Sequence, residues 1–494
     1  RRGGQGLQVA PSVIRWSGSD ITVEGRIKQR QLANSNFAWD FTLQSNQGRL
    51  GLGRPGEFIR LKRWIAEGKM FPGRGVLNLD KVISQAGDGE LAMKGAVYTG
   101  NAPGITMSGR IGPMLARNFL GFWPEILGAD ARKWASKNVL SGQLQGASFS
   151  MRMIRPRGAS KDTKSDYSMV LDAVLANARF VGNSALPPVY AEKASLALKD
   201  DAFRLSIPRS AFVFGDDRSL NIDNVELTAE RMFDPTVDGE TKLRVSGDLH
   251  DAVDIVQSLG VIEAQAGQEI KARATGKIDS QFRLTIPFVR SGQLPPPTVI
   301  GQVRILDGKV RNIWKDISAS GRKVIIDVAE NGWTANGQLM VGGIATKFRW
   351  QRFFNAGEAE QPPIRVTAVL NEKSRSKLGL QVNHMVRGPM GLDVAFAPKL
   401  SKNAQRTSTH VRLDLTRADL EIESLAWRKA AGKQAIAEFD YFPRDGQQSA
   451  RLDNIRVDGG GLAIRGGAKI DRNDRLTSFD FTAFTLDVVT RLKV

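Results

Sequence analysis

Alternation of apolar and polar residues constrains this chain more than any other feature. In residues 37–43 every second side chain is large and apolar, which is the period of a β-strand, where successive side chains point to opposite faces. The same alternation recurs at residues 203–207, 324–328, 348–350, 411–415, 439–441 and 479–481. The sequence therefore predicts an all-β fold.

Helical periodicity is scarce and confined to short stretches. Short helices are predicted at residues 57–67, 113–120, 129–139, 251–259 and 372–378. These helices interrupt a strand-rich chain without changing its class.

A short strand pattern recurs along the chain, with a glycine at the same position in each copy. An alternating strand runs into the glycine, and in most copies an apolar residue follows two positions later; the copies are at Gly25, Gly95, Gly109, Gly247, Gly337 and Gly466 and, more loosely, Gly276. A glycine inside a strand commonly marks a bulge, a bend or a close backbone approach. Repeated bends would curl the sheet around its apolar side, so we expect an elongated, strongly curved sheet.

Three polar or proline-rich stretches divide the chain. They lie at residues 155–166, 291–297 and 357–363, the last a softer division. The predicted segments are residues 1–155, ending in a helical insert at about 113–140, then residues 167–290 and residues 298–494. Their similar strand patterns favour one extended β structure.

Composition excludes several classes of chemistry. The 494 residues contain no cysteine, which excludes disulfides, thiol catalysis and cysteine-ligated metal centres. The three histidines, His250, His384 and His410, are far apart in sequence and leave little material for metal or acid–base chemistry. No run of about 18 apolar residues is present, so no segment is predicted to span a membrane as a helix.

The chain is basic, with a formal net charge of +19. Nucleic-acid-binding proteins usually concentrate their cations in patches with aromatic residues among them, whereas here the basic residues are spread along the chain. Attraction to an anionic membrane surface explains such a distribution equally well, as does solubility alone.

Two stretches match the residue spacing of catalytic motifs but lack the rest of the site that such motifs need. Residues 51–56 match G-x-G-x-x-G, but no alternating βαβ pattern follows, so a glycine-rich turn explains them. Residues 374–377 match S-x-x-K without the partner motifs that such an active site needs. The sequence therefore predicts a protein without catalytic residues, cofactor or metal.

A sheet with one apolar face must cover that face. The cover is either a second sheet, as in a β-sandwich, or a ligand such as an acyl chain lying in an open hydrophobic groove. The pattern favours neither.

Several motifs resemble a known family. A helical insert with Phe122-Trp123-Pro124, then Arg132 and Trp134, precedes a strand that reaches a glycine. This insert is similar to that of the YhdP-type branch of the AsmA-like proteins. Looser likenesses to the same proteins lie at residues 177–180, 186–190, 194–203, 376–380, 418–429 and 452–466.

The resemblance implies a non-enzymatic lipid-transfer protein of the AsmA-like and TamB-like kind. Such a protein holds phospholipid acyl chains in a curved β-groove in the periplasm of a Gram-negative bacterium, between inner and outer membranes, and supports outer-membrane integrity. The anchor in the inner membrane is expected outside this chain, and other envelope proteins are possible partners. The resemblance does not suggest nucleic acid as a partner.

Candidate site residues follow from both arguments. The residues predicted to line the groove are Phe37, Trp39, Phe41, Phe348, Trp350, Phe439, Tyr441, Phe479 and Phe481. The residues predicted to cap it, or to touch a membrane, are Trp64, Phe122, Trp123 and Trp134. The alternatives are a cell-envelope scaffold that binds proteins through exposed strand edges, and a carbohydrate-active protein, which would need paired carboxylates in a cleft.

Overall fold

The fold is all-β, as the alternation predicts. A computed structural model describes residues 6–16, 18–32, 37–52, 56–123, 129–154, 166–181, 186–215, 217–231, 236–262, 264–289, 297–314, 316–357, 360–397, 408–443, 450–471 and 476–486. Strands account for 72% of the structure and helices for 11%, which confirms the fold class. Among the described residues, twenty-six strands form one antiparallel sheet and three more form a small second sheet.

The strands of the first half of the chain are mostly long. They are β1 (Gly6–Trp16), β2 (Ser19–Gln31), β3 (Phe37–Gly51), β4 (Phe58–Phe71), β5 (Val76–Ala86), β6 (Gly89–Tyr98), β7 (Gly104–Ile111), β8 (Met114–Leu115), β9 (Val139–Ile154), β10 (Asp166–Phe180), β11 (Val189–Lys199), β12 (Ala202–Phe214), β13 (Arg218–Ala229) and β14 (Thr236–Asp248).

The strands of the second half include the small sheet, formed by the short strands β21, β24 and β25. They are β15 (Ala274–Val289), β16 (Thr298–Trp314), β17 (Ile317–Ala329), β18 (Gly332–Val341), β19 (Ile344–Phe353), β20 (Ile364–Leu370), β21 (Val386–Arg387), β22 (Met390–Phe396), β23 (Thr409–Asp414), β24 (Asp419–Ile422), β25 (Trp427–Lys429), β26 (Ala435–Phe442), β27 (Ala450–Gly459), β28 (Leu462–Ile470) and β29 (Leu476–Leu486).

The described part of the chain has five short α-helices between these strands. They are α1 (Ala116–Phe122), α2 (Ala129–Asn138), α3 (Leu249–Ser258), α4 (Ala264–Arg273) and α5 (Glu372–Lys377). The predictions at 129–139, 251–259 and 372–378 are confirmed, and the one at 113–120 is confirmed with a start three residues later. Helix α4 was not predicted, because its sequence carries no apolar stripe.

The predicted helix at residues 57–67 is wrong, because this segment is strand β4. Pairing between β4 and β5 shifts between Leu61 and Arg63, so Lys62 is an extra residue on β4. The bulge displaces the apolar alternation by one position, from Ile59 and Leu61 to Trp64 and Ala66. Leu61 and Trp64 are therefore three positions apart on the same face of the strand, a spacing that also occurs on one side of a helix.

Two compact units divide the chain. Unit 1 comprises Arg1–Val245 and Phe282–Thr298, and unit 2 comprises Ser246–Gln281 and Val299–Val494. The three predicted segments stay a prediction, because most of the linker residues, 155–165 and 290–296, lie outside the described residues.

Strand order follows chain order within each unit. In unit 1, β1 to β7 pair in succession, β7 pairs with β9, and pairing continues in order to β13. In unit 2, β16 to β20 pair in succession, β20 pairs with β22, β23 joins β22 to β26, and β27 to β29 follow. Each unit is thus an antiparallel meander.

Several of the recurring glycines lie at bulges, as their pattern predicts. The β2–β3 register shifts between Thr22 and Glu24, just before Gly25, and the β28–β29 register shifts immediately before Gly466. A Cβ atom at Gly25 would collide with the carbonyl oxygen of Thr42. Only a residue without a side chain permits so close an approach of two backbones.

Candidate functional site

One face of the sheet in unit 1 is apolar from β2 to β13. Directly opposed residues of an antiparallel pair point to the same face, so the strand registers trace one row across the unit. That row is Gly25, Leu43, Ala66, Val82, Met93, Gly109, Phe149, Leu171, Leu198, Phe203 and Ala229. We call the surface that carries this row the apolar face of unit 1.

Unit 2 has an apolar face of the same kind. Its central row is Ile305, Val324, Gly337, Phe348, Val366, Val394, Val411 and Phe439. A neighbouring row continues to the last strand through Tyr441, Leu452, Ala468 and Phe479. The repetition arises because every strand here has the same period of two.

All nine residues predicted to line a groove lie on these two faces. In unit 1 the rings of Phe37 and Trp39 meet edge to face at 6.1 Å, and Phe41 follows on the same side of β3. In unit 2 the rings of Phe479 and Phe481 stack at 5.3 Å. The remaining four, in β19 and β26, are Phe348, Trp350, Phe439 and Tyr441.

None of the nine is buried. Phe37, Phe479 and Phe481 are 43%, 50% and 55% exposed, and the other six are half-buried. The centre of a closed sandwich would bury such side chains almost completely. The structure therefore leaves apolar area accessible to a ligand on each face.

Trp333 is a further aromatic residue of the apolar face of unit 2 that sequence reasoning missed. Its ring contacts that of Trp350 edge to face, with centroids 4.8 Å apart. The signal was available, because Trp333 opens the strand pattern that ends at Gly337.

The opposite face of each unit is charged. In unit 1, Arg30 contacts Asp40 at 3.0 Å. In unit 2, Arg365 contacts Asp393 at 3.0 Å. These pairs are largely exposed, and each is worth about 0–1 kcal/mol. Their main consequence is that this face is compatible with water.

Helix α1 covers one end of the apolar face in unit 1. Phe122 is 8% exposed and packs in a core with Ile21, Leu50 and Leu144. Trp123 packs against the same core and lies 5.5 Å from the ring of Phe119. Two of the predicted capping residues therefore contact the sheet.

The other two predicted capping residues differ in position. Trp64 is half-buried against the same core but belongs to strand β4, so the helix expected to carry it does not exist. The side chain of Trp134 lies outside the described residues, although its backbone belongs to α2.

Arg132 joins the two helices of this cap to the sheet. Its guanidinium, on α2, donates hydrogen bonds to the carbonyl oxygen of Leu120 at 3.0 Å and to that of Gly51 at 2.9 Å. The side chain is only 6% exposed. Arg132 was predicted only as part of a motif, and its buried role could not be read from the sequence.

In unit 2 a helix and the small sheet cover part of the apolar face. Leu370, Met390 and Trp427 belong to one buried core there, and Leu378, just beyond α5, packs against it. Two cations are buried in this region. Arg375 is 0% exposed and Lys429 is 1% exposed.

Backbone carbonyl groups satisfy both buried cations. Arg375 donates to the carbonyl oxygens of Val386 and Gly388, each at 2.7 Å, while the ammonium of Lys429 donates to that of Lys433 at 2.9 Å. Burial lowers the pKa of both groups below their ordinary values, with nearby carboxylates opposing the shift. Both side chains therefore have a structural role, holding the surrounding turns in place through these hydrogen bonds.

The described part of the chain lacks two other kinds of site. It contains no cluster of three or more acidic or histidine side chains suited to holding a metal ion. Its helices are all too short or too polar to cross a membrane.

The chain was compared with protein families, with curated proteins and with solved structures. None of these comparisons found a match. The resemblance to the AsmA-like proteins therefore remains a prediction.

Proposed function

We propose that this protein is a non-enzymatic lipid carrier that shields the acyl chains of phospholipids on its apolar faces. The observation that carries the proposal is the exposure of aromatic side chains along faces that are continuous over many strands. An open sheet must cover its apolar side, and acyl chains are a cover that matches its chemistry.

The energetics support this role. Each methylene withdrawn from water contributes about 0.8 kcal/mol, so a phospholipid with two long chains gains on the order of 20 kcal/mol from a fully apolar environment. Crossing an aqueous space without a carrier forfeits that gain. Contacts with Phe, Trp, Val and Leu side chains restore it without specific polar groups, and no bond needs to be made or broken.

The charged face and the net charge fit the same role. The charged face of each unit carries exposed ion pairs that favour water. The net charge of +19 would draw the protein to anionic membrane surfaces, at about 1 kcal/mol for each cation close to the surface.

The setting in the cell is part of the proposal and rests on the resemblance. We place the protein in the periplasm of a Gram-negative bacterium, where it would move phospholipid between the inner and outer membranes and support outer-membrane integrity.

The experiment places a carboxylate on the apolar face and asks whether lipid still binds. In unit 1, Phe41→Asp is compared with Thr42→Asp, which puts the same charge on the opposite face of the same strand. In unit 2, Phe481→Asp is compared with Ala483→Asp for the same reason. Purified proteins are incubated with vesicles that contain a photoactivatable phospholipid and then irradiated.

The expected result is selective. The Phe41→Asp and Phe481→Asp variants should keep the β-sheet circular dichroism spectrum of the wild type and lose most of the crosslink to lipid, while the two controls keep it. Equal crosslinking in all four variants, or no lipid uptake by the wild type, would refute the proposal. Loss of folding in Phe41→Asp would instead show that its face is a closed core.

A structural role in the cell envelope is the second candidate. Among the described residues, strand β29 pairs only with β28 and exposes Phe479, Phe481 and Phe484. An open edge with apolar side chains accepts a strand from another protein. Mass spectrometry of native protein distinguishes the two functions, because a carrier should retain bound phospholipid and a scaffold should not.

A further inference from the structure

Five basic side chains gather at one end of the strands in unit 1. They belong to three strands, and all of them are exposed; they are Arg15 on β1, Arg49 on β3, and Arg60, Lys62 and Arg63 on β4. The part of β4 has three basic residues in four positions. We call the surface formed by these five side chains the basic patch.

One row of the sheet carries three of these cations. Arg15 opposes Asp20 in the β1–β2 pair, and Asp20 opposes Arg49 in the β2–β3 pair. Arg49 in turn opposes Arg60 in the β3–β4 pair. Directly opposed residues point to the same face, and Ile21, which follows Asp20, is buried in the core on the other side. The row therefore lies on the charged face of unit 1.

The bulge at Lys62 adds a further cation to this face. Leu61 is buried in the core, and without the extra residue Arg63 would point to the same side as Leu61. The shift in register turns Arg63 to the charged face instead, where it opposes Gln85. Lys62 is itself exposed. The bulge thus concentrates on one surface basic side chains that regular pairing would have divided between two faces.

Three carboxylates lie at the patch or beside it. Asp20 forms an ion pair within the patch. Asp88 interacts electrostatically with Lys62. Glu90 opposes Gln85 and accepts a hydrogen bond from its side chain at 2.5 Å. Five cations against three carboxylates leave an excess of two positive charges.

The charge is unevenly compensated within the patch. Among the described carboxylates, none forms an ion pair with Arg15, Arg60 or Arg63. Arg60 directly opposes Arg49, whose own carboxylate partner lies on the far side, in β2. Like charges directly opposed on neighbouring strands destabilise a sheet, and a bound anion removes that repulsion. The patch therefore favours an anionic partner.

The patch is too wide for a single phosphate group. Neighbouring strands lie about 4.8 Å apart, and three such steps separate β1 from β4, so Arg15 and Arg60 lie about 14 Å apart across the sheet. One phosphate group can contact either end of the row but not both. The width instead matches an array of phosphates, such as the headgroups of a membrane or the backbone of a polymer.

Two exposed apolar side chains share this surface. Val13 is 54% exposed and lies two positions before Arg15 on β1, and Phe58 is 44% exposed and lies two positions before Arg60 on β4. The guanidinium of Arg49 lies over the ring of Phe58, 5.3 Å from its centroid. Cations and apolar groups are thus interspersed on one face.

We propose that the basic patch docks unit 1 on the surface of an anionic membrane, with its cations on lipid phosphates and with Val13 and Phe58 in the headgroup region. A membrane surface provides an extended array of phosphates and, just below it, apolar material for these two side chains. A polymer of phosphates supplies the charge but leaves Val13 in water. The inference deepens the proposed function and rests on it for its purpose, because docking through the charged face leaves the apolar face of unit 1 open to lipid.

The test compares two matched triple variants. Arg15→Gln/Arg60→Gln/Arg63→Gln removes three cations of the patch and keeps the ion pair of Arg49. The control, Arg26→Gln/Lys94→Gln/Arg110→Gln, removes three exposed cations elsewhere on the charged face of unit 1 and changes the net charge equally. Binding is measured by co-sedimentation with vesicles of equal parts phosphatidylglycerol and phosphatidylcholine, and with vesicles of phosphatidylcholine alone.

The wild type and the control should bind the anionic vesicles in preference to the neutral ones. The patch variant should keep the circular dichroism spectrum of the wild type and bind the anionic vesicles on the order of 100-fold more weakly. Equal binding by the two triple variants would overturn the inference. Binding of the wild type to polyphosphate but not to anionic vesicles would assign the patch to a polymer and overturn the membrane assignment.

A second measurement separates this inference from the proposed function. A photoactivatable phospholipid is delivered from a cyclodextrin complex, so that lipid uptake does not require docking on a vesicle. The patch variant should then crosslink to lipid as the wild type does. A wild type that takes up lipid without binding anionic vesicles would overturn the inference and leave the proposed function standing. A wild type that binds the vesicles without taking up lipid would refute the proposed function and support the docking surface.

Discussion

The ring of Phe348 occupies the space in which a side chain at Gly337 would lie. The two residues oppose each other across the β18–β19 pair, and a Cβ atom at Gly337 would be 2.6 Å from Cε1 of Phe348. The same arrangement occurs in unit 1, where Phe41 opposes Gly68 and a Cβ atom at Gly68 would be 2.7 Å from Cζ of the ring. Glycine thus makes room for an aromatic ring to lie close to the sheet on the apolar face.

Gly337→Ala should destabilise the protein by about 1–3 kcal/mol, because the new methyl group overlaps the ring of Phe348. The nearest atoms around a Cβ at Gly337 belong to the side chains of Phe348 and Val324, so Phe348→Leu in the same chain should recover most of the loss. Urea denaturation of the two single variants and the double variant measures the coupling. Gly73→Ala is the control, since a Cβ there meets nothing within 4 Å, and additive effects of the two changes would contradict the prediction.

Arg132→Met should detach the helical cap of unit 1 from the sheet. The substitution leaves the carbonyl groups of Leu120 and Gly51 without this donor, at a cost of about 1–3 kcal/mol. Hydrogen exchange should accelerate in α1 and α2 more than in β10 to β13. Lys133→Met, at the adjacent exposed position, should leave exchange unchanged, and equal behaviour of the two variants would show that Arg132 does not anchor the cap.

Lys429 should make the free energy of unfolding depend on pH at alkaline values. Burial lowers its folded-state pKa below the unfolded value of about 10.4. Between the two pKa values the unfolded chain binds more protons, so the free energy of unfolding rises with pH through that window. Below the folded pKa the cost of burying the charge is fully present.

Lys429→Met removes the titrating group, so the difference in unfolding free energy between wild type and variant should change through this window and stay constant below it. Denaturant titrations at a series of pH values test this expectation. The exposed Lys373→Met, which removes a cation that does not shift the pKa of Lys429, serves as the control. A difference that is constant at every pH would contradict the assigned burial of the charge.

Asp440 should contribute stability that is lost in acid. The hydrogen bond that its carboxylate accepts from Asn454, at 2.7 Å, lowers its pKa; burial opposes this shift, and the contact with His410 adds to it. A depressed folded-state pKa gives a contribution that is present above the unfolded value of about 3.9 and lost as the pH falls through the folded value. The unfolding free energies of wild type and Asp440→Asn should therefore differ by about 1 kcal/mol at pH 7 and converge below about pH 4. A difference that persists at pH 2 would contradict the assignment.

The sequence predicts the strands because most of them keep one face apolar over their whole length. Residues 37–43 in β3 show this, and burial of one face sets their alternation independently of distant contacts. Strand β4 escaped prediction because the extra residue Lys62 moves the alternation to the other parity. The apolar faces could be predicted from the same alternation, and the nine aromatics named from the sequence are members of those faces.

The cap of unit 1 could be predicted only in part: Phe122 and Trp123 were expected to cap the sheet and pack against it, but the contact that holds the cap in place could not be predicted. The cap of unit 1 depends on Arg132 reaching the carbonyl of Gly51, which is 81 positions away, and no local pattern encodes such a contact. The pairing of Phe348 with Gly337 could have been predicted, because the two residues lie at equal distances in sequence from the Gly342-Gly343 turn. A cavity of about 700 Å³ in unit 2 is lined by residues of five separate elements, β16 to β19 and α5, so only the folded chain assembles it.

Pairing in chain order has a consequence for how such a protein changes over evolutionary time. Each hairpin contacts mainly the hairpins before and after it. Duplicating or deleting one hairpin therefore changes the number of strands in the sheet and leaves the registers of the other strands intact. Elongation therefore requires no redesign of what already exists, in the same way that a repeat array gains a module. Unfolding should begin at the outermost hairpins and advance inward. An inner strand is paired on both sides, so it opens only after a neighbouring strand has unfolded.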